Sequence, residues 1–189
     1  MVGVMKIDND KKNEVRKLYI MEEYERAYRI LFKLYNKEQD EILDRCFVLY
    51  NISLVTKKMH RYDESKKYIL EAKMFMSDKK GYDTEKGCIT WLFIELYREQ
   101  LSDFELIQLY EKLKEYYYYL DDDNKIIMGL NGNIAVLKDN YVEAEMLIEK
   151  CFNMDYIDSA KNILEDIKNR NIDKYNEIMT MYELKNQLA

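Results

Sequence analysis

Apolar residues recur at helical intervals along almost the whole chain. The pattern is clearest between residues 106 and 120, where most spacings are three or four positions: Leu106, Leu109, Tyr110, Leu113, Tyr117 and Leu120. No segment sustains the apolar–polar alternation that is typical of a half-buried strand. The pattern therefore predicts an all-α protein.

Short polar segments divide this pattern into about ten helices of roughly 10–20 residues. They lie at residues 36–39, 60–61, 77–83, 101–103, 121–124, 139–140, 153–155 and 169–172. Ser102 followed by Glu105 has the spacing of a capping box, in which each side chain pairs with a free backbone amide at a helix start. Such short connections favour antiparallel helix pairs.

An aromatic residue opens the second helix of each predicted pair. Successive members of this series are 38, 42, 37 and 34 positions apart: Tyr24, Tyr62, Phe104, Tyr141 and Tyr175. These steps bracket the period of about 34 residues that is typical of tetratricopeptide repeats. The spacing therefore indicates a chain built from repeated helix pairs.

Residues 46–77, CFVLYNISLVTKKMHRYDESKKYILEAKMFMS, resemble one tetratricopeptide repeat without a gap. Its packing positions are filled by Leu49, Ile52, Ser53, Tyr62, Ser65, Ile69 and Ala72, and residues 125–158 repeat the pattern with Gly132, Tyr141, Ala144, Ile148 and Cys151. The resemblance implies a right-handed α-solenoid of about five tetratricopeptide-like helical hairpins. We expect one domain over residues 1–189, with a loose N-terminal segment over 1–10; a generic helical bundle is the alternative.

Composition and charge narrow the classes of function. With 30 Lys and Arg against 36 Asp and Glu, the net charge is −6, and no long basic block is present, which argues against direct nucleic-acid binding. The N-terminal apolar stretch is too short for a signal sequence, and no apolar run approaches the roughly 20 residues of a membrane span. Three cysteines among apolar neighbours fit a reduced, cytoplasmic compartment.

The sequence offers little catalytic chemistry. His60 is the only histidine, which excludes a site with several histidine ligands. No nucleophile elbow, zinc-protease, Walker or dinucleotide motif occurs. The acidic run at residues 121–124 lacks the spacing of a calcium loop and is better explained as a helix N-cap. We therefore expect no enzymatic activity, cofactor or metal.

A curved array of helix pairs forms a groove lined by the first helix of each pair, where asparagine side chains can bond the backbone of an extended peptide. Projecting the repeat pattern onto that groove gives Tyr50, Leu54, Lys57, Leu92, Leu96, Asn133 and Val136, flanked by Asn51 and Asn131. For each asparagine, a merely solvated or locally bonded side chain is the alternative. Within the run EYYYYL, helical spacing places Tyr116 and Tyr117 inside and Tyr118 and Tyr119 on the charged side.

This degenerate repeat array resembles the ligand-binding region of RRNPP-type peptide-pheromone receptors. The resemblance implies a quorum-sensing regulator that binds a short peptide in its groove and thereby changes its affinity for a protein or DNA target. Because the repeat pattern begins near Asn13, without a preceding helix-turn-helix segment, we expect a protein target or a fragment of a longer receptor. The alternative is an adaptor, chaperone or inhibitor that binds a folded protein. A homodimer through the C-terminal helix at residues 173–188 is also open, with contacts from Tyr175, Ile178, Met179, Tyr182 and Leu188.

Overall fold

The computed structural model describes residues 6–37 and 41–188, with side chains described as far as Tyr182. Over these ranges the chain forms ten α-helices and a short 3₁₀ turn at Arg98–Gln100: α1 (Asn9–Ile20), α2 (Tyr24–Tyr35), α3 (Ile42–Lys58), α4 (Tyr62–Met76), α5 (Asp83–Tyr97), α6 (Asp103–Tyr116), α7 (Lys125–Leu137), α8 (Tyr141–Asn153), α9 (Ile157–Arg170) and α10 (Ile172–Leu188). The all-α prediction is confirmed. None of the helices in the described ranges has the length and apolar content needed to cross a membrane.

The chain divides into two compact units, Met1–Leu101 and Ser102–Ala189, which we call unit 1 and unit 2. In unit 1 each of the helices α1 to α5 packs on the next, and α3 also contacts α5. In unit 2 the helices α6 to α10 pack in the same sequential way, and α7 also contacts α9. Each unit therefore has a contact between two helices that are separated in sequence by one other helix, α3 with α5 and α7 with α9. A single domain over residues 1–189 stays a prediction.

Within residues 6–37 and 41–188 the same turn joins helices four times, at Glu22, His60, Asp139 and Asp155, whose φ angles lie between 53° and 61°. The amide after each of these residues donates to a carbonyl five positions back, as from Glu23 to Leu18 (2.8 Å) and from Arg61 to Thr56 (2.9 Å). This bond closes the helix end as a Schellman motif, in which glycine is the favoured left-handed residue. The next helix begins two residues later, so Tyr24, Tyr62 and Tyr141 open their helices as predicted.

We expect Glu22→Gly to raise the free energy of unfolding by about 1 kcal/mol, because a residue with a Cβ is strained in the left-handed region. Arg29→Gly is the matched control: Arg29 is exposed in the interior of α2, where glycine costs about 1 kcal/mol. Urea unfolding of both variants measures the difference. A Glu22→Gly protein less stable than the wild type would contradict the strain at this turn.

The N-terminal segment and the tyrosine run depart from their predictions. Residues 1–5 of the segment predicted to be loose lie outside the described residues, whereas Ile7 is buried and its amide donates to Asp44 Oδ2 (2.7 Å), which fixes the entry to α1. The prediction that the α6 stripe continues to Leu120 is wrong: α6 ends at Tyr116, and the chain turns toward α7. The predicted sides are nevertheless confirmed, because Tyr116 and Tyr117 are half-buried, while Tyr118 (76% exposed) and Tyr119 (57% exposed) face solvent.

Small residues stand where helices approach closely, as the repeat pattern predicts. Ser53 on α3 and Ser65 on α4 are fully buried, and each hydroxyl donates to the other residue's carbonyl, at 2.9 and 2.7 Å. In unit 2, a Cβ at Gly132 would lie 2.2 Å from Ile163 Cδ1, so glycine leaves room for the Ile163 side chain of α9 against α7. The predicted caps are also present: Ser102 and Glu105 form the capping box of α6, and Asn124 caps α7.

Candidate functional site

The seven predicted groove residues differ in accessibility. Tyr50, Leu54 and Lys57 on α3 and Leu96 on α5 are half-buried and reach the surface. The structure buries the remaining three, Leu92, Asn133 and Val136, which are 2%, 6% and 0% exposed. The accessible part of the predicted surface therefore lies on α3 and α5 in unit 1.

Tyr50 lines an open cleft of about 370 Å³ in unit 1. The cleft is formed by the three helices predicted to come first in their pairs: α1 and α5 give the walls and α3 gives the floor. Its lining residues are Lys12, Arg16, Leu43, Cys46, Phe47, Tyr50, Asn51, Thr84, Glu85 and Cys88. Asn51, predicted to flank the groove, is among them, with its Nδ2 donating to Phe47 O (2.7 Å). This volume falls within the range of about 300–1,000 Å³ that is usual for ligand sites.

Two cations of α1 lie over the aromatic floor of the cleft. Lys12 Nζ is 5.7 Å and Arg16 Cζ is 5.9 Å from the centroid of the Phe47 ring, within the range of a cation–π contact. Lys12 is neutralised by Asp44, whose Oδ1 is 2.5 Å from its Nζ and whose side chain is fully buried. Arg16 makes a long hydrogen bond to Asn13 (3.4 Å) and no ion pair in the described ranges.

The α5 wall supplies the Glu85 carboxylate and the Cys88 thiol, and the α3 floor supplies the Cys46 thiol. Glu85 is half-buried and forms no ion pair with any residue that the structure describes. Burial raises the pKa of the Cys46 thiol to about 12, with smaller contributions from Glu85 and Cys88. Because a neutral thiol behaves as a small apolar group, Cys46 belongs to the apolar lining of the cleft rather than to a nucleophilic centre.

Lys57, another residue of the predicted groove, takes part in an ion pair between helices. Lys57 on α3 forms an ion pair with Glu95 on α5, so its ammonium group already has a partner.

Sequence reasoning missed Arg16, Phe47 and Glu85. Phe47 was within reach of a pattern argument, because it lies three and four positions before Tyr50 and Asn51 on one face of α3. Arg16 and Glu85 are 69 positions apart in sequence, and only the packing of α1, α3 and α5 brings them to one cleft.

Unit 2 contains a larger cleft of about 750 Å³ among α8, α9 and α10. Its apolar lining includes Phe152, Leu164, Tyr175, Met179 and Tyr182, and its charged rim includes Glu149, Lys161, Glu165 and Lys168. The Phe152 and Tyr182 rings meet edge to face with centroids 5.1 Å apart. Burial, and then the carboxylates of Glu149 and Glu145, raise the pKa of Tyr182 to about 12.

Three residues predicted to contact a second copy therefore lie in this cleft: Tyr175, Met179 and Tyr182. Ile178, predicted with them, is fully buried. The Leu188 side chain lies outside the described side chains.

No family model matches the chain, and no curated protein matches it.

Proposed function

We propose that this protein is a non-catalytic regulatory module that holds a short peptide or an extended protein segment. The observation that carries the proposal is the cleft in unit 1, because it is built by three successive first helices and combines an aromatic floor with amide and charged groups. Tyr50 and Asn51 supply flat apolar area and hydrogen-bonding groups of the kind that peptide backbones use. The Cys46 thiol in this cleft is neutral near pH 7, because burial raises its pKa to about 12.

The proposed architecture is a right-handed α-solenoid of about five tetratricopeptide-like hairpins. Support comes from the turn that recurs at Glu22, His60, Asp139 and Asp155 and from the contacts between successive first helices. Resemblance to the RRNPP-type receptors favours a peptide signal as the ligand and a cytoplasmic regulator of a protein target as the biological setting. Direct binding of nucleic acid, a membrane or a cofactor is not part of this proposal.

A second candidate function is binding of a folded protein, or of a second copy of this chain, through unit 2. The larger cleft there favours it, because its half-exposed aromatic and methionine side chains are types enriched at protein interfaces. In that case the protein acts as an adaptor, chaperone or inhibitor, or forms a homodimer through α10.

Variants in the two clefts distinguish the two candidate functions. We expect Tyr50→Ala to lower the amount of peptide retained from a random heptapeptide pool about tenfold, because an aromatic anchor at a binding site is worth at least about 1.4 kcal/mol. Met179→Glu, in the unit 2 cleft, is the matched control and should retain peptide as the wild type does. Tyr50→Phe separates loss of the ring from loss of the hydroxyl, and circular dichroism reports any loss of fold.

Sedimentation velocity of the same variants tests the second candidate. Binding of a second copy through unit 2 gives a dimer that Met179→Glu converts to a monomer and that Tyr50→Ala leaves intact. A wild-type protein that retains no peptide and sediments as such a dimer would contradict the peptide-binding proposal.

A further inference from the structure

The cleft in unit 1 carries one open positive charge on its α1 wall and one open negative charge on its α5 wall. Arg16 on α1 has no carboxylate within ion-pair distance, and Glu85 on α5 has no cation within that distance, among the residues that the structure describes. The neighbouring charges differ in this respect: Lys12 is paired with Asp44, and Lys57 with Glu95. The cleft is therefore electrically polar from wall to wall.

Local structure holds both groups in place. The Arg16 guanidinium lies over the Phe47 ring, 5.9 Å from its centroid, and this cation–π contact restricts a side chain that is otherwise exposed. Glu85 is half-buried beside the buried Cys46 thiol, so its carboxylate is partly removed from water. A charge in such a partly dry site gains more from an opposite charge than an exposed one does.

From this geometry we propose, on the basis of the proposed function, that the ligand is a dipolar peptide segment. Its acidic group pairs with Arg16 on the α1 wall, its amino or basic group pairs with Glu85 on the α5 wall, and an apolar side chain between them lies on Phe47 and Tyr50. A polyanion does not fit this arrangement, because the cleft offers a single open cation together with an open carboxylate. A free amino acid shares the charges but lacks the length of apolar chain that covers the floor.

The test is affinity selection on the immobilised full-length protein. The probe is a random heptapeptide pool that is acetylated at the N-terminus and amidated at the C-terminus, so that only side chains supply charge. We expect the wild type to enrich peptides that contain Asp or Glu together with Lys or Arg around an apolar residue. Arg16→Gln should reduce the enrichment of acidic residues about tenfold and keep that of basic residues, and Glu85→Gln should do the reverse.

Lys17→Gln is the matched control, because Lys17 is exposed on α1 and does not line the cleft; it should select the wild-type sequences. Enrichment of peptides without a charge preference would overturn the dipolar ligand and leave peptide binding standing. Complete displacement of the retained peptide by a free amino acid at millimolar concentration would overturn the peptide segment as the ligand, because the two charges alone would then suffice for binding. If the protein retains no peptide from the capped pool and none from an uncapped pool, both the dipolar ligand and the proposed peptide-binding function are overturned.

Discussion

Asp44→Ala should lower the free energy of unfolding by about 3 kcal/mol, because it leaves a buried amide and a partly buried ammonium group without their shared acceptor. Asp44 is fully buried on α3, where Oδ2 accepts from the Ile7 amide (2.7 Å) and Oδ1 faces Lys12 Nζ (2.5 Å). One carboxylate therefore fastens both the segment before α1 and α1 itself to α3. Urea unfolding followed by circular dichroism measures the loss.

Two further variants separate the contributions of Asp44. Asp44→Asn keeps an acceptor for the Ile7 amide but removes the charge, so we expect an intermediate loss. Glu41→Ala removes an exposed partner of Lys6, and its unfolding midpoint should stay close to that of the wild type, since exposed ion pairs contribute little. A loss below about 1 kcal/mol for Asp44→Ala would show that this carboxylate does not hold the N-terminal helix in place.

Gly132→Ala should destabilise unit 2 by about 1–2 kcal/mol, even though alanine favours helix over glycine by about 1 kcal/mol. The added Cβ would lie 2.2 Å from Ile163 Cδ1 and 2.5 Å from Ile163 Cγ1, and Ile163 is fully buried between its neighbours. To accept it, either the buried Ile163 side chain must leave its present rotamer or the helices α7 and α9 must move apart. Thermal and urea unfolding of the full chain measure the effect.

Gly129 supplies a matched control one turn earlier on the same helix. A Cβ there would lie 3.6 Å from Ser159 Oγ, an ordinary contact, so Gly129→Ala should stabilise the protein by about 0.5–1 kcal/mol. Ile163→Val removes the nearest methyl group and should reduce the cost of Gly132→Ala in the double variant. Equal effects of alanine at positions 129 and 132 would contradict close packing of α7 on α9.

Local signals predicted the elements of this fold well. Tyr24, Tyr62 and Tyr141 mark helix starts because each follows a turn whose geometry the chain repeats, and the capping box at Ser102 fixes its boundary through local hydrogen bonds alone. The end of α6 at Tyr116 was missed because no glycine or proline marks it. The helical spacing of apolar residues continues to Leu120 in the sequence, although the backbone turns after Tyr116.

The candidate site was only partly predictable, because periodicity assigns a residue to a helix face but does not say what covers that face. The sequence predicted the same groove-facing orientation for Tyr50, Leu92, Asn133 and Val136. In the structure Tyr50 lines the open cleft, whereas the other three are buried. The open charges of Arg16 and Glu85 depend on which residues pair elsewhere, such as Lys12 with Asp44. That information exists only in the folded chain.

The most direct test of the proposed peptide-binding cleft is photocrosslinking of a heptapeptide pool that carries a diazirine-bearing side chain, with the adducts located by mass spectrometry. We expect adducts at the cleft floor and the α5 wall, on residues 43–51 and 84–88 of unit 1, and their loss when excess unlabelled pool is added. Adducts confined to residues 149–182, around the cleft of unit 2, would contradict a peptide site on the first helices of unit 1.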